Sequence, residues 1–256
     1  MNYNTSKHSK IKPENSEGSM GWPDAGLEAA LNLLKSISSS EIIMIDVGAH
    51  RGESLRSFSQ MYLGPLKYIG LEPNPNAFID FEKISDTIRT NNREVSCLQC
   101  AAGHQDGTAR FFLTNESAVG GILQAVSGLS DRVPSGDHQI ISELEVKVVS
   151  VGSLVSRLSF ERVDLLKVDT EGYDLEVLRG AQGLLDSQSV GAVLTEVFFV
   201  PYRVDQAYFW DIASFMSELG YHFVNLYDTR ETSQGRLYTG NALWVSSKIA
   251  KANDFL

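Results

Sequence analysis

Two rhythms of apolar positions take turns along this chain, and each predicts a different element. The run Ile42-Ile43-Met44-Ile45-Asp46-Val47 is apolar almost without a break. A strand buried on both faces of a parallel sheet needs that pattern. Asp164–Val168 and Ala192–Val197 are two more strands of this buried type, and Lys67–Leu71 and Val95–Cys100 also read as strands. Between these runs the spacing stretches to three and four residues, which predicts helices over Asp24–Ile37, Ser54–Tyr62, Asn76–Arg89 and Asp174–Leu185, the first capped by Asp24. Another helix, over Asp205–Leu219, stops at Gly220, a residue suited to a left-handed cap. Tyr221–Tyr227 and Ala242–Ser246 then read as strands with no helix between them, so they must pair antiparallel. The alternation predicts an α/β fold: a doubly wound, mostly parallel seven-stranded sheet with helices on both faces and one antiparallel edge strand, Rossmann-like in topology.

Two stretches keep neither rhythm. Residues 1 to 23 are rich in Asn, Ser, Lys and Glu, which predicts a flexible tail ahead of a single domain over 24–256. Thr114 to Leu144 holds Gly120, Gly121, Gly128, Pro134 and Gly136, and a segment of this length inside a domain reads either as a functional lid or substrate wall or as a disordered surface insertion. We expect Asn115–Glu143 to act as a lid, because Ile122, Leu123, Val126 and Leu129 space like one apolar face.

Composition narrows the partners. With 256 residues and 43% hydrophobic positions the chain can build a sizeable core. Its 22 Lys+Arg against 32 Asp+Glu give a formal charge of -10, a field that repels polyanions and argues against DNA or RNA as partners. No apolar stretch approaches the roughly 20 residues that cross a bilayer, and no apolar segment follows the early lysines. The expected location is cytoplasmic, without membrane insertion. Cys97 and Cys100 lie three apart in a strand, on opposite faces, and read as two thiols.

Candidate chemistry begins at Asp46-Val47-Gly48-Ala49-His50-Arg51-Gly52, between the first strand and a helix. Gly48 permits a tight turn and Gly52 a close approach to the backbone. The dinucleotide fingerprint G-x-G-x-x-G is absent, and Asp46 would repel a pyrophosphate. An adenosyl ligand bearing an ammonium group and no phosphate suits the segment, S-adenosyl-L-methionine being the common example. The second strand ends in Glu72-Pro73-Asn74-Pro75, which puts an acid where doubly wound folds meet the ribose hydroxyls and Asn74 where it could reach the adenine. The competing classes are a nicotinamide oxidoreductase, which Asp46 disfavours, and a catalytically silent nucleotide-binding protein.

These segments, together with Ala101-Ala102, Asp106-Gly107 and the run Leu165-Leu166-Lys167-Val168-Asp169-Thr170-Glu171-Gly172 continuing to Gly180-Ala181, resemble the FkbM-type methyltransferases. The resemblance covers roughly residues 40 to 247. It implies the class I methyltransferase fold, S-adenosyl-L-methionine as cofactor, and O-methylation of a hydroxyl on a sugar or secondary metabolite. The cofactor-binding set would be Asp46, Gly48, His50, Gly52, Glu72, Asn74, Ala101 and Ala102. His50 stands where the family usually has Asn, and Gly152 where an acid is common.

Ligands of open α/β sheets bind beyond the carboxyl ends of the strands, which selects Asp169, Glu171 and Glu196, with Lys167 on the face shared with Asp169. These four form the expected catalytic cluster, taking the proton of an alcohol acceptor, either a small molecule or a glycan. The competing readings are a structural ion-pair network and a divalent metal on the three carboxylates. No metal is expected, because no further Asp or His clusters there.

Overall fold

A computed structural model of the chain describes residues 24–36, 41–115, 118, 120–126 and 139–255. The expected tail over 1–23, most of the insertion (116, 117, 119 and 127–138, with Leu129) and Ile37 lie outside the described residues.

In chain order the elements are α1 (Ala25–Lys35), β1 (Ile42–Val47), α2 (Glu53–Met61), β2 (Leu66–Leu71), α3 (Pro75–Ile88), β3 (Arg93–Leu98), β4 (Ala101–Ala102), β5 (Gly107–Thr114), β6 (Ile140–Val149), α4 (Val151–Leu158), β7 (Val163–Val168), α5 (Asp174–Gly180), α6 (Gln182–Asp186), β8 (Val190–Phe198), α7 (Phe209–Glu218), β9 (His222–Glu231), β10 (Leu237–Val245) and α8 (Ser247–Ala252). Seven strands make the main sheet in the order β3-β2-β1-β7-β8-β10-β9. β3, β2, β1, β7 and β8 are mutually parallel, while β10 runs antiparallel to both β8 and β9. The hairpin at this end of the sheet thus supplies its antiparallel strand, β10, with β9 outside it at the edge.

Successive residues of a strand face opposite layers, and β1 shows what that does here. Ile43, Ile45 and Val47 pack against α4, α5 and α7 through Val155, Leu178 and Met216. Ile42 and Met44 pack on the other side, against α1, α2 and α3 through Leu31, Phe58 and Phe81. Helices therefore cover both faces and every residue of β1 is buried. Truncating one of these buried aliphatics to Ala removes about 2–5 kcal/mol.

Sequence periodicity misses a second, three-stranded sheet in the order β4-β6-β5. β6 alternates Glu143, Glu145 and Lys147 outward with Leu144, Val146 and Val148 inward, so Ile140–Leu144 is strand rather than loop. The alternation is clear only once the pairing with β5 is known, because Ile140 and Ile141 are exposed and break the pattern. The periodicity gives no sign of α4 either. Ser150 caps it by accepting from Ser153 N, and Asp106 accepts from Ser150 N at 2.8 Å, joining α4 to the small sheet. The expected helix over 174–185 divides at Ala181 into α5 and α6.

Candidate active site

A cavity of about 360 Å³ opens beyond the carboxyl ends of β1, β2, β7 and β8. On one side stands the turn after β1. Gly48 holds φ +82°, and a Cβ there would sit 1.9 Å from the Asp169 carbonyl oxygen. Only glycine lets the β1 and β7 ends come this close. The following residue but one, His50, also has positive φ, 47°, and its N–H donates to Glu72 Oε2 at 2.9 Å. Glu72 Oε1 accepts from Asn74 N at 2.7 Å. Burial pushes the Glu72 carboxyl up to about 7, against the pull of these two N–H donors. A carboxylate has about four acceptor sites, so these two N–H groups leave capacity on Glu72, which lines the cavity.

The opposite side is built by β7, β8 and the turn after β7. Lys167 Nζ lies 3.2 Å from Asp46 Oδ1 and 3.3 Å from Asp169 Oδ2. Burial alone would lower the Lys167 ammonium's pKa, but the Asp46 and Asp169 carboxylates reverse this and raise it. Glu171, at φ 57°, pairs with Arg203 Nη2 at 2.9 Å, and burial raises its carboxyl despite that guanidinium. Strained backbone of this kind persists only where its surroundings enforce it, and here the enforcing group is Asp174. Its carboxylate accepts from Gly172 N at 3.1 Å and from Thr170 N at 3.4 Å, which shapes the turn that presents Asp169 and Glu171.

Glu196, at the end of β8, completes the wall. Its Oε1 accepts from Thr239 Oγ1 at 3.3 Å, whereas Oε2 is buried with no hydrogen-bond partner. Burial and then the charges of Asp169, Glu171 and Asp174 raise its pKa well above the usual carboxylate range. Asp169, Glu171 and Glu196 each place an oxygen within 4.8 Å of the other two. That spacing would admit a cation, but Lys167 already balances Asp169 and Arg203 already balances Glu171.

The roof is part of the insertion. Phe112 and Gly121 exchange backbone hydrogen bonds, Val204 N donates to Gln124 O and Val126 N to Tyr202 O. Residues 120–126 are thereby tied at one end to β5 and at the other to the 202–204 segment beside Glu171, and Ala118, Gly120, Gly121 and Ile122 line the cavity.

A model of the methyltransferase FkbM domain family matches residues 46–223, inside the span expected from the motifs. The chain belongs to this family. Among solved structures, methyltransferase FkbM from Methylobacillus flagellatus KT superposes with a TM-score of 0.52 at 16% identity, covering 81% of this chain and 44% of that one. This FkbM-family chain thus spans less than half the length of that relative. Magnesium protoporphyrin IX methyltransferase (ChlM) from Synechocystis PCC 6803, solved with bound SAM, gives 0.47 at 11% identity, covering 91% of this chain and 87% of that one. At 16% identity the likeness to the Methylobacillus protein shows the fold alone. No curated protein matches the chain.

The FkbM-family geometry sorts the expected residues. Gly48, His50, Glu72, Ala101, Ala102, Lys167, Asp169, Glu171 and Glu196 all line the cavity. Three others stand behind it. Asp46 is wholly buried, accepting from the Tyr68 hydroxyl and from Lys167, so it supports the wall and has no face towards a ligand. Gly52, at φ +87°, caps α2 with its α-carbon packed towards Phe81 and Ile84 of α3. Asn74 caps α3 through Asn76 N and is buried, where the sequence suggests a side chain that could reach the adenine. Sequence reasoning passes over Tyr68, Asp174, Arg203 and Arg230. Asp174 stands two residues past the D-x-E-G run, Asp169 to Gly172, but the other three come from segments whose approach to the site depends on the fold. Both thiols are free, and Cys100 lines the cavity while Cys97 rests beside Ser85. No helix of the described residues is long and apolar enough to cross a membrane.

Proposed function

We propose that the chain transfers a methyl group from S-adenosyl-L-methionine to a hydroxyl oxygen of a sugar or secondary metabolite. The observation carrying this reading is the two-sided cavity, with Glu72 and the Gly48–His50 turn on one wall and the Lys167-bound Asp169 beside Glu171 and Glu196 on the other. Five carboxylates line it, Glu53, Glu72, Asp169, Glu171 and Glu196, against Lys167 and Arg230. Such a lining favours a ligand with a sulfonium and an ammonium group over a pyrophosphate, and so speaks for S-adenosyl-L-methionine over a nicotinamide dinucleotide.

The residues fit that cofactor. Glu72 keeps free acceptor sites for ribose hydroxyls, and Ala101, Ala102 and Cys100 offer a small, apolar wall for an adenine ring. When bound, the cofactor supplies a methyl carbon activated by its positive sulfur. The protein's part is to hold the acceptor oxygen in line with it and to remove the hydroxyl proton. Asp169 is the base, since its side chain is 40% exposed towards the cavity and is oriented by Lys167. Lys167 is itself fixed by Asp46 and cannot swing away without stranding a buried charge.

Calorimetry with S-adenosylhomocysteine and with NAD tests the cofactor, and methylation of a panel of sugars, glycolipids and polyketide alcohols tests the acceptor. Binding of the first alone, with label transferred to an oxygen, is the expected outcome. Binding of NAD alone, or transfer to nitrogen or carbon, would replace this reading.

A further inference from the structure

Three basic side chains line the cavity, and two of them are held by the protein's own carboxylates. Lys167 lies between Asp46 and Asp169, and His50 Nδ1 stands 3.2 Å from Glu53 Oε1. The third, Arg230 of β9, is exposed and makes neither a hydrogen bond nor an ion pair with any described residue. Its side chain nevertheless turns towards the transfer site. It lines the cavity, and its positive charge reaches Glu196 at the end of β8 without pairing with it. The register explains how. Arg230 stands opposite Thr239 of β10, whose hydroxyl donates to Glu196 Oε1 at 3.3 Å, so a side chain leaning back over β10 arrives at the Glu196 wall.

A guanidinium at the mouth of a ligand cavity, accessible and without a partner, is a receptor for an anion. Its planar fork of N–H donors fits carboxylate and phosphate alike. The rest of the lining decides between them, because its acidic side chains repel a dianion about twice as strongly as a monoanion. Spacing then places the anion on the acceptor. Asp169 follows β7 and Arg230 sits on β9, with β8 and β10 between, so three strand spacings, about 14 Å, part the two backbones. An acceptor that gives its hydroxyl to Asp169 can meet Arg230 only across its own body. We infer that the acceptor carries a carboxylate, clamped by Arg230 on the far side of a ring from the hydroxyl that is methylated, as in a uronic acid. This rests on the methyl-transfer reading of the site, and it makes Arg230 the residue that sets acceptor specificity.

Calorimetry with S-adenosylhomocysteine comes first, because its failure removes the methyl-transfer reading itself and involves no acceptor. With that ligand bound, saturation-transfer NMR titrations compare methyl glycosides of hexuronic acids with the matched neutral hexosides and with hexose phosphates. The uronides should bind roughly ten- to hundredfold more tightly than the neutral sugars, as one charged hydrogen-bonded pair implies, and the margin should shrink in high salt. Arg230→Gln should bring the uronides down to the level of the neutral sugars. Arg230→Lys, which keeps the charge but not the fork, should keep part of the margin. Because Arg230 is exposed, neither variant endangers the fold. Equal binding of uronides and neutral sugars, or binding of neither, overturns the inference, and so does tighter binding of the phosphates. A fall in S-adenosylhomocysteine affinity in Arg230→Gln as large as the fall for the uronides overturns it too, because Arg230 would then set only the field of the whole cavity.

Discussion

Lys167 Nζ stands 3.2 Å from Asp46 Oδ1, on the neighbouring strand and in register with it. The contact assigns the acid that precedes the first glycine to the floor of the site. Asp46 is wholly buried between the Tyr68 hydroxyl and the Lys167 ammonium, so three adjacent strands, β2, β1 and β7, are tied by one polar chain that ends on Asp169 in the cavity. Asp46 acts on the proposed chemistry through Lys167.

Breaking this chain should cost stability in a fixed order. Asp46→Asn strips Lys167 of a buried countercharge, a change of about 3–5 kcal/mol. Tyr68→Phe leaves one Asp46 oxygen without its donor and should cost about 1–3 kcal/mol. Urea denaturation of both variants gives the two values, and a Tyr68→Phe loss as large as that of Asp46→Asn would mean that the Tyr68 hydroxyl, not the Lys167 ion pair, is what chiefly holds Asp46 between the strands.

Glu72 predicts a pH dependence. Burial raises its carboxyl from the usual 4.5 to about 7, so the folded chain holds this proton more tightly than the unfolded one. The stability it contributes is fully present below about pH 4.5 and is lost as pH rises through about 7, a change on the order of 3 kcal/mol. Glu72→Gln should flatten that part of the stability profile. If the ionised carboxylate receives the ribose hydroxyls, S-adenosylhomocysteine affinity should climb through the same interval, and Glu72→Ala should lower it roughly ten- to hundredfold. A calorimetric affinity that neither varies with pH nor falls in Glu72→Ala would move the ribose elsewhere.

Asp169→Asn keeps the shape of the side chain and its place beside Lys167 but cannot accept a proton. Turnover should drop by about 10² or more with S-adenosylhomocysteine affinity little changed. The opposite result, weak product binding with normal turnover at saturation, would make Asp169 a cofactor ligand.

How much of the fold and the site is legible in the sequence depends on the range of the interactions. β1, β2, β7 and β8 declare themselves because a strand covered on both faces must be apolar nearly throughout, and the site residues at their tips follow from the topology. β6 hides because its first residues, Ile140 and Ile141, are exposed although apolar. Asp46 reads as facing a ligand because its strand position gives a face but not a depth, and depth comes from Tyr68 and Lys167 closing over it. Arg203 meets Glu171 across 32 positions of chain, a distance at which local periodicity carries no information.

Gly48 separates backbone need from mere spacing. A Cβ at this φ of +82° would lie 1.9 Å from the Asp169 carbonyl, so Gly48→Ala must push the β1 and β7 ends apart. The loss should exceed about 3 kcal/mol. At Gly107 a Cβ would meet nothing within 4 Å, so this position should accept Ala within about 0.5 kcal/mol. Thermal melts of the pair provide the comparison, and equal melting temperatures would refute the close approach.

The roof over the cavity provides the last prediction. Residues 120–126 cross from β5 to the 202–204 segment on four backbone hydrogen bonds, and Gly121 lies against Glu171, where an added Cβ would be 3.6 Å from the Glu171 Cβ. So few bonds, at a surface, make the segment inexpensive to open compared with the sheet below it. Its position over both Glu171 and the Gly48 side lets a closed roof keep water from the transfer site, and opening would admit the acceptor. Hydrogen exchange at the Gly121, Val126 and Val204 amides should therefore be faster than in β7 without ligand, and should slow when S-adenosylhomocysteine is added. Replacing Gly121 by Val, with its branched side chain turned towards Glu171, should hold the roof off its seat and remove that slowing while leaving the β7 amides protected. Exchange at these three amides that is already as slow as in β7, or that is untouched by ligand, would make the segment a fixed wall of the cavity and not a lid.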